Sequence, residues 1–428
     1  MEILLCLSVA LFAGLMLSRL AKSVQLPAVT AYLVAGILIG PYLIGAFGVQ
    51  GLGFNSIEQI KGLSIIADVA LGFIAFSIGN EFRLSQLKKN GKQATVIGIL
   101  QAVVTTILVD AALIGLHFLI PDKLPLPSAI ILGAIASATA PAATLMVVRQ
   151  YKAKGPVTDI LLPIVALDDA VGLVLFAVSF GIARALMNGK IDMISILLEP
   201  VLEVLLSLLL GAAMGFLFDW FEQFFHSRSK RLSMSVTFVF LTVALSMMKF
   251  EVFGIHIAFS PLLVCMMLGT IFCNICDFSE ELMDRVDRWT APLFILFFVL
   301  SGAELELHLF KDPLIVCIGI VYIVFRCAGK YFGARSSAQM VHCDSNIVKY
   351  LGITLFPQAG VALGMALKAE QLGAEGAIVA NITLFSVLIY ELIGPFLTKI
   401  SLQKAGEIRP EGKVSARDEH MKQKQLQK

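Results

Sequence analysis

The sequence predicts an all-α polytopic membrane protein, with about thirteen transmembrane helices in two inverted-topology repeats. Three observations predict it. Of 428 residues, 58% are hydrophobic and 15% charged, and the mean hydropathy of +0.86 sets the chain apart from soluble domains. Apolar runs of about 20 residues, enough to cross the hydrocarbon core of a bilayer, recur along the whole chain. Basic residues alternate between successive loops. The net charge of +2 decides nothing by itself; the placement of Lys and Arg does.

The runs lie near 2–18, 26–47, 57–79, 93–120, 126–148, 157–183, 194–221, 232–249, 256–275, 289–308, 313–334, 347–367 and 374–398. The first follows Glu2 and lacks the basic stretch of a signal peptide, so it is expected to stay as a membrane helix. The ninth is interrupted by Ser260–Pro261. Arg19 and Lys22 follow the first run, Arg83, Lys88, Lys89 and Lys92 the third, and Arg149, Lys152 and Lys154 the fifth. Arg228, Lys230 and Arg231 follow the seventh, Arg285 and Arg288 the ninth, and Arg335 and Lys349 keep the phase. The opposite phase holds only Lys61, Lys123, Arg184, Lys190, Lys249, Lys311 and Lys368. The N-terminus is therefore expected outside and the C-terminus in the cytoplasm. Residues 401–428, polar and mixed in charge, read as a disordered cytoplasmic tail.

The chain repeats itself. SIGNEFRL (Ser77–Leu84) closes the third run and SGAELEL (Ser301–Leu307) the tenth, pairing Gly79 with Gly302, Glu81 with Glu304 and Leu84 with Leu307. Seven runs separate the copies, an odd number, so the copies point in opposite directions through the membrane. The repeats are expected near 2–183 and 232–398, with 194–221 as a linker helix. Transporters built this way hold substrate near the midplane, among interrupted helices. Both halves offer an interruption in the corresponding run. AIASATAPAAT (Ala134–Thr144) contains Pro141, and TLFPQAGVALG (Thr354–Gly364) contains Pro357 and Gly360. Ser137, Thr139, Thr144 and Gln358 are the polar side chains beside these breaks. Backbone freed at such depth is tolerated only where protein or a cavity receives it.

The sixth run carries the chemistry. In LLPIVALDDAVGLVLF (Leu161–Phe176), Asp168 and Asp169 stand where a charge costs about 2.5–3.5 kcal/mol on insertion scales. Helix neighbours differ by about 100° in direction, so the two carboxylates face different surroundings. The eleventh run supplies cations: Arg326 lies deep, and Lys330, four residues on, shares its face. Either can pair with an aspartate; Lys330 can instead reach toward the headgroups, and Arg326 is expected as the partner. Asp68 and Asn381 are secondary polar candidates, Asp110 lies toward the outer half of its run, and Glu391 is placed near the inner end of the last, with a structural role as open as a functional one.

At this point the motifs carry a resemblance. QLPAVTAYLVAGILIGP (Gln25–Pro41) is similar to the signature LPxVxGYLxAGIxxGP of bacterial monovalent cation:proton antiporters, the sodium/proton branch that also holds glutathione-gated potassium efflux transporters. ADVALGFIAFSIGNEF resembles AELGLxLLLFxxGLEL, with Asp68 in place of Glu; LFFVLSGAEL resembles FFVxxGxxL; SATAPAAT and ALDDA resemble the broken helix and aspartate pair. FRCAGKYFGAR resembles TKxxGxxxGAK and aligns Arg326 with the family's buried lysine. The likeness spans about residues 10–400. It implies a cation/proton exchanger domain over 1–400, with a core domain of two broken crossing helices and a dimerisation domain, working as a homodimer by elevator-like alternating access. It also implies that Asp169 binds the cation or proton, that Asp168 pairs with the basic residue, and that Thr139 assists. Na⁺ is the expected cation, with Li⁺ and K⁺ as alternatives. Because Arg stays protonated, an Arg326 partner would favour electroneutral exchange.

Other classes fit less well. No GxxxxGK[ST] motif points to nucleotide-driven transport, no nucleophile–base or metal-ligand spacing suggests an enzyme, and no cofactor is implied. The lone CxxC at Cys273 and Cys276 lacks further ligands. An organic-anion symporter on a similar scaffold would have its substrate repelled by adjacent carboxylates. A non-transporting sensor would be expected to carry a fused signalling domain.

Overall fold

Nearly every apolar run must close its hydrogen bonds internally, because lipid offers no partner for backbone amides. The runs are accordingly helices. The computed structural model describes residues 2–408 apart from 24–25, 50–51, 81, 83, 189–198, 249, 253–254, 258, 306–310 and 360. Its α-helices are α1 (Glu2–Ser23), α2 (Ala28–Ile39), α3 (Ile57–Lys61), α4 (Ser64–Asn80), α5 (Leu84–Leu119), α6 (Leu126–Ile135), α7 (Pro141–Tyr151), α8 (Pro156–Asn188), α9 (Glu199–Glu222), α10 (Arg228–Ser246), α11 (Pro261–Ile275), α12 (Ser279–Glu304), α13 (Pro313–Met340), α14 (Ser345–Thr354), α15 (Val361–Ala369) and α16 (Ala374–Lys404). Among the described residues, 8 spans are long and apolar enough to cross a bilayer. Other expected runs are shorter, as in α4 and α11, or are split into the half-helix pairs α6/α7 and α14/α15.

Local chemistry sets several boundaries. Proline opens α7, α8, α11 and α13, where its missing N–H costs nothing. Asp312 caps α13, its Oδ1 accepting from the amides of Leu314 at 2.9 Å and Ile315 at 3.4 Å. Ser260–Pro261, read from sequence as an interruption, is instead a start. Ser260 Oγ accepts from the Leu263 amide at 3.5 Å, and the residues before it form an antiparallel hairpin, β1 (Phe250–Val252) with β2 (Ile255–Ile257). The run expected at 256–275 therefore shrinks to α11. The expected tail also begins later. Helix α16 runs to Lys404, and Glu407 folds back so that its carboxylate accepts from the amides of Val157 at 2.6 Å and Thr158 at 2.8 Å, capping α8. Residues 409–428 lie outside the described residues.

The helices pack as two groups. One holds α5, α6/α7, α8, α13, α14/α15 and α16; the other holds α1, α2, α4 and α9–α12. Within the second group the pairing is crosswise, α2 with α12 and α4 with α11. Glycines permit both approaches. Gly36 of α2 meets the Val299 carbonyl and Gly302 of α12 meets that of Leu33, while Gly79 of α4 meets the Met266 carbonyl and Gly269 of α11 that of Phe76. The sequence repeat aligns Gly79 with Gly302, and an exchange of the two halves carries one crossing onto the other. In lipid, close backbone approach across small residues replaces the hydrophobic drive.

Because those carbonyls leave no room for a side chain, Gly302→Leu is expected to cost about 1–3 kcal/mol or more by overpacking. Replacing the exposed Leu209 by Ile is expected to be nearly neutral. Thermal unfolding in detergent checks the contrast.

Candidate functional site

The two breaks meet. Between α6 and α7 the chain turns at residues 136–137 and reaches an extended backbone at Ala140, and between α14 and α15 it leaves the helix from Leu355. The amide of Ala140 donates to the Pro357 carbonyl at 2.8 Å, and Gln358 Nε2 donates to the Ile135 carbonyl at 2.9 Å. Proline supplies the cause on both strands: Pro141 and Pro357 lack the N–H that a continuous helix would use. Gly360 lies outside the described residues.

Carbonyls freed by the breaks need donors, and α13 provides them. The fully buried Arg326 donates from Nε to the Ala136 carbonyl at 2.9 Å, from Nη2 to that of Ala138 at 2.6 Å and from Nη1 to that of Phe356 at 2.7 Å. One guanidinium thus ties both breaks together. Its face lies 4.4 Å from the Tyr390 ring, whose hydroxyl donates to the Ile323 carbonyl at 2.9 Å. One turn further on, the fully buried Lys330 ammonium donates to the Ser137 carbonyl, to Thr139 Oγ1 at 2.9 Å and to Asp168 Oδ2 at 2.9 Å.

The expectation about partners is corrected here. Lys330, not Arg326, forms the ion pair with Asp168, because the arginine fork is committed to three carbonyls. Lys330 does not reach toward the headgroups; it is 0% exposed. Thr139 Oγ1 also donates to Asp168 Oδ2 at 2.6 Å, and Gln101 Nε2 donates to Oδ1. Asp168 is therefore fully engaged. Asp169, 1% exposed, is the opposite case: neither carboxylate oxygen has a hydrogen-bond partner among the described residues.

The remaining sequence candidates divide. Ser137 and Thr144 turn their hydroxyls to the carbonyls of Ala134 at 2.7 Å and Ala140 at 3.2 Å, so both serve the backbone at the first break. Asn381, partly buried on α16, makes no hydrogen bond to either aspartate. Asp68 lines a separate cavity, described below. Glu391, placed by sequence near the inner end of α16, lies instead at the level of the breaks, since Gly394 one turn away packs on Pro357. Sequence reading passed over Gln101, although a glutamine inside the apolar ILQAVV is itself a signal, and over Tyr322, whose hydroxyl meets the Gln358 side-chain amide at 3.0 Å.

Two cavities flank the aspartates. At the end of the bundle with the basic loops, a cavity of about 1440 Å³ is lined by Arg149, Lys152, Thr158, Leu162, Asp284 and Asp287, among others. At the other end, about 470 Å³ is lined by Asp68, Leu173, Phe176, Glu203, Pro261 and Lys368, among others. On α8, Leu162, Asp169, Leu173 and Phe176 fall on one face by the 3.6-residue period. Asp169 thus stands on the strip between the two cavities. Both lie at the seam between the helix groups, which Arg149 of α7 crosses to pair with Asp287 of α12.

Comparison with known proteins places the family and the fold. The model of the family described as sodium/hydrogen exchanger, transmembrane, matches residues 7–404. The chain is 23% identical to the Na(+)/H(+) antiporter NhaS4 of Synechocystis sp., over 93% of this chain and 96% of that one. It is 22% identical to the K(+)/H(+) antiporter subunit KhtU of Bacillus subtilis, over 90% of each. A solved structure of the sodium proton antiporter MjNhaP1 from Methanocaldococcus jannaschii superposes with a TM-score of 0.70 at 16% identity, covering 94% of both chains.

Removing Lys330 alone leaves Asp168 charged and buried. Lys330→Ala is expected to destabilise the fold by about 3–5 kcal/mol, and adding Asp168→Asn is expected to recover most of the loss. Thermal unfolding of the single and double variants checks it.

Proposed function

The chain belongs to the sodium/hydrogen exchanger family, and on that premise we propose that it exchanges a monovalent cation for protons, by alternating access, at Asp169. The observation that carries the reading is the partnerless Asp169 carboxylate. A carboxylate removed from water without a counterion is costly. A proton or a cation removes that cost, and the two compete because they neutralise the same group. Asp168, held by Lys330, Thr139 and Gln101, keeps the neighbouring charge fixed. Thr139, which donates to Asp168 and accepts from Lys330, would assist by holding Asp168 in place beside the binding carboxylate.

Movement of the group containing α8 past the group containing α12 would open Asp169 first to one cavity and then to the other. The positive-inside rule supports a cytoplasmic face for the larger cavity, with the N-terminus outside and the C-terminus inside. The protein acts as a multi-pass homodimer of the cell membrane. Na⁺ is the favoured cation, and the likeness to KhtU, named as part of a K(+)/H(+) antiporter, supports K⁺ as the second reading. The expectation of electroneutral exchange loses its premise: the cation beside Asp168 is an amine, which can give up a proton as a guanidinium does not.

In proteoliposomes, Asp169→Asn is expected to abolish cation-dependent proton flux while leaving expression and detergent-solubilised size unchanged. Challenge with Na⁺, Li⁺ and K⁺ in turn, read with a pH dye and a potential dye, gives selectivity and charge balance together. Retained flux in the variant would sink the assignment of Asp169.

A further inference from the structure

Asp169 is not alone as a buried carboxylate at membrane depth without a partner. Glu391 of α16 is 4% exposed, and among the described residues it has neither a hydrogen bond nor an ion pair. Its depth is fixed by its neighbours. Gly394 packs against Pro357 in the second break, and Tyr390 carries the Arg326 guanidinium on its ring. Glu391 is therefore within about one helical turn of the crossing, yet it touches neither aspartate.

Its position in the seam matters more than its depth. Helix α16 belongs to the group that holds the aspartate pair, and here it meets α2 of the other group. Thr30 Oγ1 donates to the Leu392 carbonyl at 3.5 Å, and the Leu392 side chain packs into the apolar cluster that contains Val29 and Leu33. The charged surroundings are sparse. From α12 the acting group is Glu304, a like charge. From α13, Arg326 is turned to the break carbonyls. From α7, Arg149 is turned to Asp287, and on α16 itself Lys399 lies over the Tyr151 ring at 5.3 Å. Helix α2 contributes no carboxylate or ammonium group. Among the described residues, no cation is placed to compensate Glu391 when it ionises.

We infer that Glu391 is a second proton-binding group, which must be protonated for the group of helices carrying the aspartates to slide along α2 and α12. Ionised, it has no counterion among the described residues of the seam, and the burial of its charge opposes the passage. Neutral, it passes. The inference rests on the exchange reading above but concerns a different step: Asp169 loads the cargo, whereas Glu391 licenses the movement.

Cation-driven proton flux in proteoliposomes between about pH 6 and about pH 9 tests it. The wild type is expected to lose rate toward the alkaline end. Glu391→Gln, neutral at every pH, is expected to transport several-fold faster than wild type there, while Glu391→Asp, still titratable, keeps the alkaline fall. Profiles of the same shape for wild type and E391Q, or an E391D profile as flat as that of E391Q, would overturn the proposal. Should E391Q fail to insert, infrared spectra of purified wild type and E391D decide. The band of a protonated carboxyl must shift between the two and vanish at alkaline pH, and an unmoved band overturns the proposal. That readout needs no transport, so it stands apart from failure of the exchange reading, which would show as wild-type protein without cation-dependent flux.

Discussion

The constraint on which the structure depends is the backbone left open where two helices break inside a membrane. Lipid cannot satisfy those carbonyls, so the protein must. It does so with two cations on a single helix: Arg326 takes the carbonyls of Ala136, Ala138 and Phe356, and Lys330 takes that of Ser137. The charges that make the breaks tolerable then call for charge balance. Asp168 supplies it for Lys330, while Arg326 shares its charge among carbonyl dipoles and the Tyr390 ring. The aspartate pair, the clamp and the crossing form one electrostatic unit.

Within that unit, two adjacent residues of the same type have different chemistry. Asp168 accepts from an ammonium, a hydroxyl and an amide; Asp169, about 100° around the helix, accepts from nothing described. On the reading proposed above, one belongs to the scaffold and the other binds the exchanged ion. The division follows from direction alone, since α8 places one side chain toward α13 and the other on the face that runs between the cavities. The glycine crossings of α2 with α12 and of α4 with α11 bring those backbones into close contact on the other side of the seam.

Much of this was legible in the sequence. Hydropathy located the runs because lipid imposes one length on every helix that crosses it, and Pro141 and Pro357 marked both breaks because proline removes a hydrogen bond wherever it sits. The matched glycines of the sequence repeat, Gly79 and Gly302, both fall at close backbone crossings. What sequence alone did not decide was a matter of one helical turn. Arg326 and Lys330 share a face, and a pattern match to the family favoured Arg326. Only the reach of each side chain to particular carbonyls assigns the ion pair to Lys330. Gln101 was hidden by its apolar neighbours, and Glu391 was placed too near the helix end because α16 runs on to Lys404. The hairpin before Pro261 was missed because its strands, FEV and IHI, are 3 residues each, too short for an alternating pattern to register.

The central claim is that one carboxylate, Asp169, exchanges a proton for a cation. Proton release on cation binding tests it most directly, with purified protein in weakly buffered detergent solution and a pH-indicator dye. Addition of Na⁺ or K⁺ is predicted to release protons from the wild type, with cation affinity rising as the pH is raised, and to release none from Asp169→Asn. Cation binding without proton release, or equal release from the variant, would contradict the account.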